Sequence, residues 1–389
     1  MNLHEFQAKR ILSAYGIPCP AGEIAITADE AETAARQVGT DEIFVKAQIL
    51  AGSRAIAGGV RAVQTPAAAK IAAKALLGKR LVTPQTGPSG QIVRRVLVES
   101  GIRFEQQLYL ALAVDGASGS LALIGGPHIA GESDERGHLE SPTLRTLFLD
   151  SKGPAKDEAL EAFCGAIGVD QRHVTDCAGI VRNMYRAFVE LDASLIEMNP
   201  LALTETGLVV LDAKMALDDN ALFRHRDLAE LRDRDEMDEI ELDAQRHQIN
   251  FVQMDGDIGI IANGAGLGLA TVDMVCDAGG RPANFMDIRT TAKTLDIAHG
   301  VGLVLDNPKT KVLLVNVYGG GMQPCDTIID ALGVAARRKG RVLPIILRFT
   351  GNNENTARMR LANYNLPTTE CKDMWQAVTA AVAVAGRNS

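Results

Sequence analysis

Three times between residues 257 and 353 a continuous apolar run ends in glycine, twice with asparagine beside it, and gives way to a helix-like segment. The runs are DIGIIANG (257–264), KVLLVNVYGGG (311–321) and LPIILRFTGNN (343–353). The segments that follow them are AGLGLATVDMVCDAG, CDTIIDALGVAARRKG and ENTARMRLANYN, and a last helix, KDMWQAVTAAVAVAG, lies near residue 380. A strand that is apolar on every residue must be covered on both faces, and alternation with helices supplies that cover. The pattern predicts a parallel, doubly wound α/β sheet. Ligands of such sheets bind beyond the carboxyl ends of the strands, so NGAG, YGGG and TGNN mark a candidate site. Glycine at those places equally serves tight turns with no ligand. The loop YGGGMQPCD would aim free N–H groups and a helix dipole at an anion.

A second constraint lies at Ser194–Arg224. Two strand-like runs, SLIEMNPLAL and GLVVLDAKMAL, flank the polar turn Thr204-Glu205-Thr206-Gly207, which predicts a hairpin. A turn symmetric about the middle of TETG sets Asn199 opposite Asp212 and Glu197 opposite Lys214. Side chains alternate across a strand, so these four share one face. Two carboxylates and an amide oxygen on an otherwise apolar face need a partner. Oxygen donors so spaced suit Mg²⁺, which keeps several waters and bridges to nucleotide phosphate. The competing reading is a surface hairpin with no ligand.

Between these features and the amino terminus the chain reads as a helix (MNLHEFQAKRILSAYG), a strand (IFVKAQIL, 43–50), a glycine-rich loop (AGSRAIAGGV, 51–60), an alanine-rich helix and a strand (RRVLVES, 94–100). Lys46 at the end of a strand and Arg54 in the glycine-rich loop can neutralise phosphates that backbone N–H groups approach. A plain hairpin turn fits that loop as well. Residues 104–126 read as two antiparallel strands around DGASG, and 156–193 as helices. His128 and His138 fall in the polar segment 126–142 and are expected to be solvated. The charged stretch 225–248 is read as a linker. It puts the boundary between an amino-terminal domain (1–240) and a carboxyl-terminal one (241–389) near residue 240.

Composition narrows the function classes. The formal net charge of −8 argues against a nucleic-acid partner. No run of about 18 apolar residues exists, so no membrane span is expected, and the amino-terminal segment lacks the apolar core of a signal peptide. Six scattered cysteines with no CxxC fit a reducing cytoplasm and argue against structural zinc.

The motifs in order resemble one family. MNLHEFQAKRILSAYGIP, VKAQILAGSRAIAGGV, LLGKRLVTPQT, LIEMNPLALT, LDAKMALDDNALFR, DGDIGIIANGAGLGLATVDMV, PANFMD, LVNVYGGGMQPCD and GNN resemble the β subunit of ADP-forming succinyl-CoA synthetase and of its relative, malate–CoA ligase. LDAKMALDDNALFR looks closest to the malate type. The resemblance covers almost the whole chain. It implies an ATP-grasp fold followed by a flavodoxin-like CoA-ligase domain, in an αβ or α₂β₂ heteromer, with the tricarboxylic acid cycle as its metabolic setting. It implies that an α subunit carries the phosphorylated histidine and most of the CoA site; no histidine here, His299 included, sits in such a motif. The implied reaction joins a small carboxylic acid to CoA at the cost of ATP, releasing ADP and phosphate through phosphohistidine. By position, Lys46, Ser53, Arg54, Ala55, Glu99, Ile102 and Gln107 would line the nucleotide site, and Asn199 and Asp212 would hold Mg²⁺. Glu197 would contact the histidine. Asn263, Arg289 and the loop Gly320, Gly321, Met322 and Gln323 would meet the acid.

The sequence departs from the family at specific points. Its glycine loop GGRGKAGG is here AGSRAIAGG, with the second lysine replaced by Ile56. A nucleotide-site glutamate is Gln107. The three-glycine loop after PANFMD reads Arg289-Thr290-Thr291-Ala292 within DIRTTA, which restricts the backbone and adds bulk. The substrate loop GGIVRCD becomes GGGMQPCD, and the glutamate before GNN is Thr350. Three expectations stand. One is an active acid–CoA ligase with an altered acid, in which Arg289 pairs with an additional anionic group. Another is a catalytically impaired nucleotide-binding regulatory or scaffold subunit. The weakest is a stand-alone ATP-grasp ligase, against which the carboxyl-terminal domain argues.

Overall fold

The computed structural model describes residues 1–86, 90–128, 143–150, 153, 155–233 and 239–387. The chain forms two compact units, Met1–Glu236 and Met237–Ser389.

In the first unit, Gly22–Ala25, Val96–Ser100, Ile43–Ala47 and Val60–Val63 make, in that spatial order, a four-stranded antiparallel sheet. Two alanine-rich helices, Ala28–Val38 and Pro66–Leu76, lie against it. Thr27 and Thr65 cap them by accepting from the N–H groups of Glu30 and Ala68, and Pro66 at the first helical position has no N–H to satisfy. Alanines at 31, 34 and 35 and at 69, 72 and 73 are buried, so the helices sit close to the strands.

A second sheet of six strands has the order Gly207–Val210, Ala193–Thr204, Gln106–Asp115, Ser120–Pro127, Arg145–Leu149, with Ala213–Leu217 also paired to the Ala193 strand. Helices Asp157–Ala166 and Val174–Glu190 bury Leu160, Phe163, Ile180 and Met184 in one core with Leu110, Leu112, Ile196 and Met198. Each such side chain is worth about 1.5–3 kcal/mol of transfer free energy. The hairpin register is the expected one: Thr204 pairs Gly207, Leu201 pairs Val210, and Glu197 pairs Lys214. Asn199 N–H donates to the Asp212 carbonyl at 3.0 Å, which sets those two residues opposite each other.

The amino-terminal helix, Glu5–Ala14, forms as expected, but its charge is not turned to solvent. His4, Glu5 and Lys9 are buried while Phe6 and Ile11 are only half-buried. The reason is the set of opposite charges that meets them, described below.

In the second unit the strands run in the order Ile249–Gln253, Asn284–Ile288, Ile258–Asn263, Val312–Gly319, Ile345–Gly351, Thr368–Glu370. All neighbours are parallel except the first pair. The five parallel strands have chain order 2-1-3-4-5, the flavodoxin-like winding. The antiparallel edge strand Ile249–Gln253, the strand Asn284–Ile288 and the helix Thr294–Asp306 add to the elements read from the sequence. Among the described residues no helix is long and apolar enough to cross a membrane.

Candidate functional site

Beneath the Ala193–Leu217 hairpin, three cations and two carboxylates from four chain segments are buried together, and the half-exposed Asp212 joins them from a fifth. Lys9 Nζ lies 2.8 Å from Glu5 and 2.7 Å from Glu99. Lys46 Nζ lies 3.0 Å from Glu5 and also contacts Glu99. Arg54 reaches Glu5 at 2.7 Å and grips both oxygens of Asp212 at 2.8 and 2.7 Å. Lys9 and Lys46 both donate to the carbonyl of Leu211 at 2.6 Å, and Gln48 donates to Glu5 at 3.1 Å. Glu5, Lys9, Lys46, Arg54 and Glu99 are each less than a tenth exposed. Burial raises the Glu5 carboxyl, but Arg54, Lys46 and Lys9 outweigh it and hold it well below the usual carboxylate range. Burial likewise lowers the Lys46 ammonium and the Arg54 guanidinium. The surrounding carboxylates reverse that and keep both charged.

Above this network opens a cavity of about 150 Å³, lined among others by Glu5, Ser53, Arg54, Glu197, Asn199 and Asp212. Of the residues expected at a nucleotide and metal site, the structure thus brings Ser53, Arg54, Glu197, Asn199 and Asp212 to one cavity, with Lys46 and Glu99 joined to it through Glu5. Ala55 is exposed, and Ile102 and Gln107 are half-buried off this lining. Ser53 takes φ +59, the left-handed conformation that glycine adopts at no steric cost, so the glycine-rich loop keeps a glycine geometry without the glycine.

Glu197 lies on the same face as Asn199, whose amide N–H donates to it at 3.3 Å. Burial pushes the Glu197 carboxyl up, opposed by Lys214 and Asn199. The Asn199 side-chain oxygen Oδ1 is 2.7 Å from Nδ1 of His128. His128, expected to be solvated, is therefore a neighbour of the hairpin face, because the Ser120–Pro127 strand delivers it there; His138 lies outside the described residues. Asp212 is the half-exposed member of the set, its side chain 37 % exposed. A hard carboxylate and an amide oxygen converging on one cavity fit Mg²⁺, with Arg54 as the competitor for Asp212. Sequence reasoning missed Glu5, Lys9, Gln48 and His128. The i,i+4 spacing of Glu5 and Lys9 was visible, but it reads equally well as a solvated helix face.

At the carboxyl ends of the second unit's strands, the loops separate by role. Gly351 has φ +108, and a Cβ there would come within 2.4 Å of the Gly319 carbonyl; Gly319 is as tightly hemmed. These two glycines serve the close approach of YGGG and TGNN. A Cβ on Gly320 or Gly321 would meet nothing within 4 Å, so no packing requirement accounts for either. Asn263 spans the switch point between the first and third parallel strands. It donates to the Tyr318 carbonyl at 2.7 Å and accepts from the Tyr318 N–H at 2.9 Å.

Arg289 is exposed, with Nε and one terminal nitrogen both donating to Asn250 at 2.9 and 2.7 Å. Asn250 donates in turn to Asp287 at 2.8 Å, and Asp287 accepts the Gly264 N–H at 2.8 Å. Thr290 and Thr291 impose no left-handed backbone; the loop closes as a turn, Ala292 N–H to the Arg289 carbonyl at 3.0 Å. Met322 is exposed, whereas Gln323 is buried and donates to the carbonyls of Arg289, Thr290 and Ala292 at 3.3, 3.2 and 2.6 Å. Gln323 thus holds the loop in place, and Met322 is the side chain that the 320–323 loop presents to solvent.

These two architectures match known families. The ATP-grasp domain family matches residues 2–203 and the CoA-ligase family residues 261–384. An ATP-grasp domain followed by a CoA-ligase domain defines the class as an acid–CoA ligase β subunit. The β subunit of ADP-forming succinate–CoA ligase from Anaeromyxobacter dehalogenans (strain 2CP-C) is 40% identical over 388 residues, covering 99% of both chains. That of Ralstonia pickettii (strain 12J) is 38% identical over 386 residues, again 99% of both. The chain belongs to this family, the β subunits of ADP-forming succinate–CoA ligase. The fold is also that of the ATP citrate lyase of Methanothrix soehngenii, solved with citrate and coenzyme A: TM-score 0.74 at 16% identity, covering 98% of this chain and 99% of that one.

Proposed function

We propose that this β subunit works with an α subunit, in an αβ or α₂β₂ complex, to convert a small carboxylic acid, CoA and ATP into acyl-CoA, ADP and phosphate, and that its acid carries an additional polar or anionic group, as malate does. The observation that carries the acid assignment is Arg289. It stands exposed where the family has glycine, fixed on two of its nitrogens by Asn250, and its remaining terminal nitrogen bonds to none of the described residues. A guanidinium held on one edge presents the other to a carboxylate or sulfonate. Gly320, Gly321, Met322 and Asn263 belong to the same reading as acid-contacting groups, with Gln323 setting the loop they face.

In the amino-terminal unit, Lys46, Ser53, Arg54, Ala55, Glu99, Ile102 and Gln107 take the nucleotide. Phosphoryl transfer asks for positioning and charge neutralisation. Mg²⁺ held by Asn199 and Asp212 would supply neutralisation at the phosphates. Arg54 exchanges Asp212 for phosphate oxygens when nucleotide enters, and Glu5 keeps Lys46 charged until then. Glu197, half out of water, orients the partner's histidine by accepting its proton in a hydrogen bond. Six free cysteines support a reducing, cytoplasmic setting.

The test is CoA-dependent ADP release by the purified complex with succinate, malate and a sulfonated short acid. The expected result is at least a roughly tenfold preference in kcat/KM for acids bearing the additional group, reversed by Arg289→Gly; one lost ion-pair contact of about 1.4 kcal/mol is tenfold. No turnover with any of these acids would sink the reading.

A second reading, an impaired regulatory or scaffold subunit, is favoured by one observation: Lys46 and Arg54 are both already held by paired carboxylates. Formation of phosphohistidine on the partner from ATP and Mg²⁺ would eliminate it.

A further inference from the structure

In the second unit, two helices bring two histidines and two aspartates into one cluster. Asp243 lies in the helix Glu239–Arg246 and His247 just after it, one turn apart on the same side. Asp296 and His299 lie in the helix Thr294–Asp306 at i,i+3. The pairs cross over: His299 Nε2 is 2.6 Å from Asp243, and His247 Nδ1 is 3.1 Å from Asp296. The imidazole rings stack with centroids 3.9 Å apart and planes 24° from parallel. Donor atoms of Asp243, His247 and His299 all lie within 4.8 Å of one another.

We propose that Asp243, His247 and His299 form a binding site for a zinc-class divalent cation, with Asp296 as fourth ligand or as the group that orients His247. Two imidazole nitrogens and a carboxylate are the donor types such an ion takes, in tetrahedral geometry with bonds of about 2.0–2.2 Å. Those bond lengths need donors about 3.4 Å apart, and each imidazole binds in its ring plane, so the two stacked rings must swing open from their 24° angle as the donors close on the ion. Two imidazolium charges at the observed stacking distance would repel. A shared divalent ion uses the same nitrogen lone pairs without that penalty. On binding, His299 gives up its Nε2 proton to the Nδ1 position or to solvent, and the Asp243 oxygen that accepted it turns to the metal. The expectation against zinc rested on cysteine spacing, and this donor set contains no cysteine.

The site has a structural consequence. His247 precedes Gln248, a non-glycine residue at φ +58. The Gln248 carbonyl accepts the Arg289 N–H at 3.3 Å, and its side-chain oxygen accepts from Thr291 at 3.2 Å. An ion joining the two helices would therefore brace the turn that supports the Arg289–Ala292 loop.

The test is a Zn²⁺ titration of the chelator-stripped full-length chain, with bound metal counted by elemental analysis and the affinity read by calorimetry, in the presence of excess Mg²⁺. Mg²⁺ saturates the oxygen donors of the other unit but competes poorly for imidazole. One Zn²⁺ per chain is expected, weakened at least about 100-fold in His247→Ala/His299→Ala, since even the outer partners of a ligand are worth about 10- to 100-fold. Co²⁺ in its place should give the intense visible absorption of a tetrahedral site. Asp243→Asn, which keeps the shape of the side chain, should weaken binding in a chain whose circular dichroism is unchanged. Equal Zn²⁺ stoichiometry and affinity in the wild type and in both variants, or no bound Zn²⁺ at all, would overturn the proposal.

Discussion

The network beneath the Ala193–Leu217 hairpin and the loop at Arg289–Ala292 both tie polar side chains from distant segments together, but they do it differently. The first uses three cations against three carboxylates, and every charge but Asp212 is shared by at least two partners. The second uses neutral amides: Gln323 donating to three carbonyls, Asn250 receiving a guanidinium, Asn263 bridging two strands. A buried charge without its partner costs several kcal/mol, whereas a lost amide contact costs about one to three. The first region is therefore intolerant of single changes and the second is open to revision. That contrast agrees with the sequence, in which the charged residues of the network keep the family pattern while the strand-end loops depart from it.

The contrast can be broken most sharply at Glu5. Glu5→Ala would leave Lys9, Lys46 and Arg54 with two carboxylates among them, and a loss of about 3–5 kcal/mol in urea unfolding is expected. An effect below about 1 kcal/mol would mean the network is hydrated and the comparison false. Next in size, Asp212→Asn removes a proposed metal ligand and half of the Arg54 clamp. Phosphohistidine formation on the partner should slow by roughly 100-fold, the scale of losing one preorganised electrostatic group. In the amide region, Gln323→Ala should cost about 1–3 kcal/mol at most, with the KM for the acid rising and nucleotide affinity unmoved. Equal loss of nucleotide affinity would show that the two regions are not independent.

Two smaller effects sharpen the picture. The folded-state pKa of Glu197 is raised, so its contribution to stability is present below the ordinary glutamate value of 4.5 and is lost as pH rises through the raised value. Glu197→Gln removes that loss, so variant minus wild type should become more favourable between pH 4.5 and 8 in denaturant midpoints. Finally, Ser53→Gly relieves a left-handed serine, a gain of about 0.5–1 kcal/mol after the entropy of the freer unfolded chain is counted.

What could be read from the sequence follows the same division. Period-two alternation around TETG determined the register that sets Asn199 against Asp212, because a one-residue slip would have turned Met198 and Ala213 outward. The apolar runs with glycine ends located the parallel strands for the same kind of reason. The antiparallel edge strand Ile249–Gln253 was hidden, since NFVQ carries no alternation strong enough to separate it from its charged neighbours. Nothing in the helix pattern marks His4, Glu5 and Lys9 as interior; only partners far along the chain, such as Asp233, Lys46 and Glu99, make them so. Gln323 looked like a substrate group because its loop does, and nothing local reveals that its amide turns back to the carbonyls at Arg289–Ala292. Long-range pairing of polar side chains has no period, and a single sequence does not display it.

The Leu211 carbonyl accepts from both Lys9 and Lys46, and the Met1 amino group and the Leu3 N–H reach Leu217 and Met215. Segments more than 200 positions apart must therefore meet before the pocket has a floor. On a ribosome, the helix Glu5–Ala14 emerges with its ionic partners at 46, 54 and 99 and the Leu211 carbonyl still unmade, and it has to wait, charged and unsatisfied, for the late hairpin. Contacts of such long sequence separation form slowly. Nucleotide-binding competence should therefore appear as one of the last events in the maturation of this unit, in step with the arrival of residues 211–217 and not with the earlier strand that carries Lys46.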